Sequence, residues 1–479
     1  MVTFSFIDIL LIVLYFSAVV LIGIRSSRKE KTEAEEYLLA SRSLTLPVFV
    51  ATLVSTWYGG ILGVGEYSYE YGISNWVVFG VPYYFFAIVF AFTLAKKARS
   101  TNLVTIPDKL YDAYDTKTSL LGALLTFVLV SPAPYVLMLG ILVQLIFGIS
   151  LTASVLISTF LTVCYLYAGG FRSDVNTNIA EFILMFAGFA IILPFAYAKF
   201  GGIDFLQRNL PPLHLTWHGG NSIQFIVVWF FIALWTLVDP AFHQRCYAAK
   251  DGATAQKGII LSTLCWFVFD FFTSTAGLYA RAAMPHLQQP MFSYPMLAEI
   301  TLPSVAKGMF YIGMLATIMS TLSSLTFIGA STIGNDIVGR LLSNEKREVK
   351  MAAVTLWTKI GLVITAVFAV ALALWIPSAV KLWYVIGTAI IPGLLVPLMA
   401  SYFERLKIPT SFAFAAMLLG WIVSTVWLVC GQLSGGQYFF SIEPMYPGLC
   451  ISVGIWGAGK FIASRGGDDR GAASMLKNV

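Results

Sequence analysis

Residues Leu315–Leu325 read LATIMSTLSSL and lie inside an apolar run, Val305–Ile333, long enough to cross a bilayer as one helix. At the helical period, Thr317, Ser320, Thr321 and Ser324 fall at i, i+3, i+4 and i+7 and share a face, with Ser323 beside them. Such a stripe has two readings. In lipid, hydroxyls bond back to the i−4 carbonyl or to a neighbouring helix and so hold helices together. The same oxygens offer neutral lone pairs for which a hard alkali cation can exchange its hydration water. No carboxylate is required if the ion must also be released.

The rest of the chain has the same apolar character. Of its 479 residues, 58% are hydrophobic and 11% charged, where a soluble domain carries about a quarter charged. This composition predicts an all-α polytopic membrane protein embedded in the lipid bilayer. The net charge of +6 accompanies no nucleic-acid signature. Five cysteines, an odd number spread through apolar segments, read as small core residues. His214 and His218 share a loop without a third ligand, so no transition-metal site is expected. The spans hold no His/Asp or His/Glu cluster, which argues against an enzyme.

The apolar runs predict about thirteen transmembrane helices, numbered here as spans one to thirteen: 4–24, 45–72, 74–96, 118–148, 151–170, 175–200, 223–248, 254–283, 304–338, 351–375, 377–402, 408–431 and 446–464. They form a single transmembrane domain over 1–479. The 102–116 loop reads as a short amphipathic helix at the cytoplasmic face. With these spans, all but five of the 30 lysines and arginines fall on one side. The positive-inside rule then places the N-terminus outside and the C-terminus in the cytoplasm. Short loops suggest a bacterial inner membrane as the plasma membrane concerned.

Two spans resist regular helix. Span two has Gly59, Gly60, Gly63 and Gly65 after Ser55-Thr56-Trp57-Tyr58, and span seven has Asp239-Pro240. Unwound backbone at membrane depth is tolerated where it lines a cavity, and its free carbonyls can hold a cation. The two breaks stand five spans apart, as they would if spans 2–6 and 7–11 were repeats that each open on a broken helix. Charges at membrane depth are functional candidates because they are costly to bury. Glu66 and Asp239, beside the breaks, are read as cavity residues; Glu181 and Asp270 are read as structural. Of the aromatic residues near the breaks, Trp57, Tyr58 and Trp235 are the best placed to stack on a solute.

In order along the chain stand ATLVSTWYGG and YSYEYG in span two, AGGFRSD before span six, HQRCYAAKD closing span seven, and LATIMSTLSS with STIGNDIVGR in span nine. Together these motifs resemble the sodium/solute symporter family. That resemblance implies two inverted five-helix repeats with broken first helices, at about 45–200 and 223–402, and peripheral helices 4–24, 408–431 and 446–464. It also implies a sodium site made by the carbonyls of Ser55 and Tyr58 and the hydroxyls of Thr317, Ser320 and Thr321. Some members have a second sodium site with an aspartate, where this chain has Asn178. Asparagine brings no charge, so one sodium ion per cycle is expected.

The expected function is sodium-coupled import of a small organic solute by alternating access, with Na+ as the coupling ion. Solute-binding residues would be Trp57, Glu66, Trp235 and Asp239. Span four (LVSPAPYVLML) offers no arginine to clamp an acidic group, which favours a neutral or zwitterionic solute. The alternatives are a proton-coupled symporter using Glu66 or Asp239, and a membrane sensor on a transporter scaffold.

Overall fold

In a bilayer every backbone N–H and C=O must be satisfied within the protein, so lone apolar runs of this length become helices. A computed structural model describes residues 2–27, 34–342 and 347–475. Among these residues the chain is helical, and its one β-type contact is an isolated bridge between Leu44 and Ala249. Among the described residues, ten helices are long and apolar enough to cross a membrane, or eleven when the bent pair Leu46–Trp57 and Ile61–Tyr71 is counted as one span.

Each expected span falls on helix, but the count does not reach thirteen by that measure. Spans five and six run together as Leu151–Phe200, where two helices meet at Gly170 with a non-helical backbone (φ 54°, ψ −145°). Glycine adopts that conformation without strain, and a Cβ here would lie 2.6 Å from the Tyr37 ring. Span thirteen lies on Met445–Met475, where an apolar beginning gives way to RGGDDRG.

Both expected breaks are present. Span two divides into Leu46–Trp57 and Ile61–Tyr71 with a bend of 61°. Span seven divides into Ile223–Ile232, Trp235–Val238 and Pro240–Ala248. Asp239, held extended by the proline that follows it, caps the last piece: its Oδ1 accepts from the Ala241 and Phe242 N–H groups at 2.8 and 3.0 Å. Span nine, Ala306–Ser331 with a π-helical continuation Thr332–Val338, is buried almost throughout. It approaches span six closely because glycines face each other; a Cβ on Gly188 would lie 2.7 Å from Gly313 Cα. In the 102–116 loop, Ile106–Ala113 forms the expected short helix, and its Asp108 pairs with Arg340 beyond the end of span nine.

Candidate functional site

The first half of span two ends against the hydroxyl face of span nine. Ser320 Oγ donates to the Ser55 carbonyl at 2.8 Å, and Thr321 Oγ1 donates to the same carbonyl at 3.3 Å. Both hydroxyls also have a partner within their own helix, the Thr317 carbonyl, at 3.0 and 3.4 Å. Thr317 Oγ1 donates to the Gly313 carbonyl at 2.6 Å. Each hydroxyl proton can therefore stay on a span-nine carbonyl while its oxygen lone pairs turn toward Ser55. A hard cation entering between them would leave no donor without an acceptor. The oxygen donors fit a sodium ion. Tyr58 ends this half-helix (φ −89°, ψ 10°). Gly59 lets the two spans meet, since a Cβ there would lie 2.2 Å from Thr321 Oγ1.

One turn further along the same face is a second polar cluster. Asp174, fully buried, accepts from Ser323 Oγ and Ser324 Oγ, each at 2.8 Å. Its counter-charge is Arg245: Nη2 lies 3.0 Å from Asp174 Oδ2 and also donates to Ser324 Oγ (2.7 Å) and Thr56 Oγ1 (2.9 Å). Asn178 Nδ2 donates to Ser324 Oγ at 3.0 Å and to Thr56 Oγ1 at 3.3 Å. Arg245, counted among the cytoplasmic-side cations although it falls within span seven, sits inside Pro240–Ala248 and is fully buried. Asp174 is a residue that sequence reasoning missed, although it stands four residues before Asn178 and so shares its helical face. The expectation that only an uncharged asparagine meets these serines is corrected, because a carboxylate accepts from both Ser323 and Ser324.

Beside these clusters lies a cavity of about 140 Å3 that reaches Thr56, Tyr58 and Thr321. Trp57, Trp235 and Asp239 line it. Asp270, read from the sequence as a structural group, lines it as well and accepts hydrogen bonds from the hydroxyls of Tyr58 and Tyr84. Glu66 is elsewhere. It lines a larger cavity of about 960 Å3 with Glu70, Lys381 and Glu443, and Trp229 borders both spaces. Glu181 joins spans one and six through the Tyr15 hydroxyl at 3.1 Å.

A family model described as the sodium:solute symporter family matches residues 37–420. The sodium/pantothenate symporter of Escherichia coli is 27% identical over 474 residues, covering 93% of this chain and 94% of that relative. The high-affinity choline transporter 1 of Drosophila melanogaster is 22% identical, covering 91% and 72%. Among solved structures, a Na+-coupled sialic acid symporter in a substrate-bound outward-open state superposes with a TM-score of 0.77 at 17% identity, covering 96% of this chain and 98% of that one. That likeness shows a shared fold.

Proposed function

The chain belongs to the sodium:solute symporter family, and from that premise we propose where its sodium ion binds and how it is coupled to solute. It is a sodium-coupled solute symporter of the plasma membrane, a transporter and not an enzyme. In the proposed site the ion rests between the Ser55 and Tyr58 carbonyls and the hydroxyls of Thr317, Ser320 and Thr321. The observation that carries this reading is the convergence of Ser320 and Thr321 on the Ser55 carbonyl at the break.

Coupling follows from shared residues. An ion between Ser55 and Thr321 draws the broken span toward span nine. The residues that follow Ser55 in the chain, Thr56, Trp57 and Tyr58, are wall residues of the central cavity. Sodium thus shapes the solute pocket before solute arrives, and solute strengthens sodium binding in return, as linkage requires. Trp57, Trp235 and Asp239 would contact the solute, and Glu66 would line its route in. We assign the repeats to about 45–200 and 223–402, with alternating access between them, and we place the N-terminus outside. The relatives are named for unlike solutes, pantothenate and choline, so the solute must be argued from the cavity.

The test is thermal unfolding of the purified chain in sodium chloride against potassium chloride at equal ionic strength. A ligand that binds the folded state raises its melting temperature. A sodium-specific rise that Ser320→Ala weakens supports the site; an equal response to both salts overturns it.

A further inference from the structure

The central cavity holds a carboxyl group for which the sodium site does not account. Asp270 lies in the middle of Gly252–Ala283 and lines the cavity. The Tyr58 and Tyr84 hydroxyls donate to it, but hydroxyls bring no counter-charge. None of the described residues lining the cavity is Lys, Arg or His. The other wall carboxylate, Asp239, is already engaged at a helix N-terminus by two backbone N–H groups, where the helix dipole also favours it.

The rest of the wall has the matching chemistry. Ten of the 21 lining residues are aromatic, Trp57, Tyr83, Tyr135, Trp235 and Trp266 among them. Aromatic faces are electron-rich and attract a desolvated ammonium group. The larger cavity beyond Trp229 has the same bias, with Glu66, Glu70 and Glu443 against Lys381.

We infer that the solute is a small organic cation, a methylated ammonium compound whose charge rests against Asp270 and the surrounding rings. This rests on the symporter reading above and narrows its solute class. A neutral solute would leave Asp270 without a counter-charge. An anion would add negative charge to a wall that already holds two carboxyl groups and, among the described residues, no basic side chain. A methylated head suits the wall better than a primary ammonium, which needs three acceptors for its three protons. The cavity has room for on the order of ten water-sized atoms, the scale of such a compound.

The test uses the full chain, purified, and two probes of the same shape: choline and its uncharged carbon isostere 3,3-dimethylbutan-1-ol. Thermal unfolding is followed with each probe in sodium chloride and in potassium chloride. The response to sodium alone reads the ion site; the difference between the probes reads the solute class. The expected result is stabilisation by choline at concentrations at least tenfold below those the isostere needs. Asp270→Asn should erase that difference. Equal responses to the two probes overturn the inference, and so does a lack of response to choline in either salt. If sodium has no effect, the ion site fails separately, and the comparison of probes still decides the solute. If Asp270→Asn does not fold, the contrast between the two probes on the native chain decides the solute class by itself.

Discussion

Arg245 Nη2 lies 3.0 Å from Asp174 Oδ2, and solvent reaches neither side chain. The pair ties the last piece of span seven to the start of span six beneath the hydroxyl face of span nine. Attraction between two buried charges is largely offset by their lost hydration, so the pair itself adds little. Removing one partner is different, because the other is left as an isolated buried charge.

Asp174→Ala and Arg245→Ala should therefore each cost about 3–5 kcal/mol of stability. The measurement is the thermal transition of the purified variants without ligand. The double variant should lose less than the two single losses added together, since no lone charge remains.

The same cluster bears on stoichiometry. The Ser324 hydroxyl is already met by Arg245 and Asn178 nitrogens at 2.7 and 3.0 Å. N–H donors thus face the oxygens that a second cation would need. Uptake should rise hyperbolically with sodium concentration, with a Hill coefficient of about one. A clearly sigmoidal curve would restore a second ion.

The hydroxyl face could be read from sequence because its residues lie within two turns of one helix, where spacing alone sets direction. The two breaks could be read because Gly59-Gly60 and Asp239-Pro240 act on their own backbone. Asp174–Arg245 could not, since the partners are separated by 71 residues and an arginine after an apolar run looks like a loop cation. Glu66 and Asp270 exchange their expected places for a related reason. Proximity to a break along the chain suggests a position in the central cavity for Glu66. What brings Asp270 to that cavity is contact with Tyr58 and Tyr84 from other helices. The merger of spans five and six likewise rests on the backbone geometry of Gly170, which hydropathy does not report.

Ser320→Ala and Thr321→Ala each remove one proposed oxygen donor and leave the Ser55 carbonyl in place. Each should raise the half-maximal sodium concentration about tenfold, equivalent to about 1.4 kcal/mol. Titrating sodium against melting temperature checks this. Unchanged sodium curves in both variants would reduce the hydroxyl face to helix packing.

Gly59→Ala probes the same contact from the opposite side. The new Cβ would come within 2.2 Å of Thr321 Oγ1 and 2.4 Å of Thr321 Cβ, so span nine or the break must shift. Overpacking of this kind costs about 1–3 kcal/mol. The variant should also lose sodium response more completely than Thr321→Ala, because it displaces the backbone carbonyls together with the hydroxyl. Separate titrations of the two variants give the comparison.

A last prediction concerns pH and lies outside the spans. His214, in the Pro212–Leu215 turn between spans six and seven, is buried, and its Nε2 donates to the Tyr69 carbonyl at 2.9 Å. Its Nδ1 has no hydrogen-bond partner among the described residues. A second proton would therefore be buried there without an acceptor. Burial pushes the imidazole pKa below its ordinary value, and Arg281 pushes the same way against the favourable Tyr69 bond. The unfolded chain then binds a proton more readily than the folded one, so stability must fall with pH. The contribution is fully present above the ordinary histidine value of about 6.5 and is lost progressively as pH drops below it. The turn is fixed to span two, with the Ile73 N–H donating to the His214 carbonyl at 2.9 Å. Its release should open the end of Ile61–Tyr71 first. Amide exchange at Ile73 should accelerate between about pH 6.5 and 5 beyond its intrinsic pH dependence. In His214→Gln, which cannot titrate, that excess should vanish; an excess that persists would assign the effect to another group.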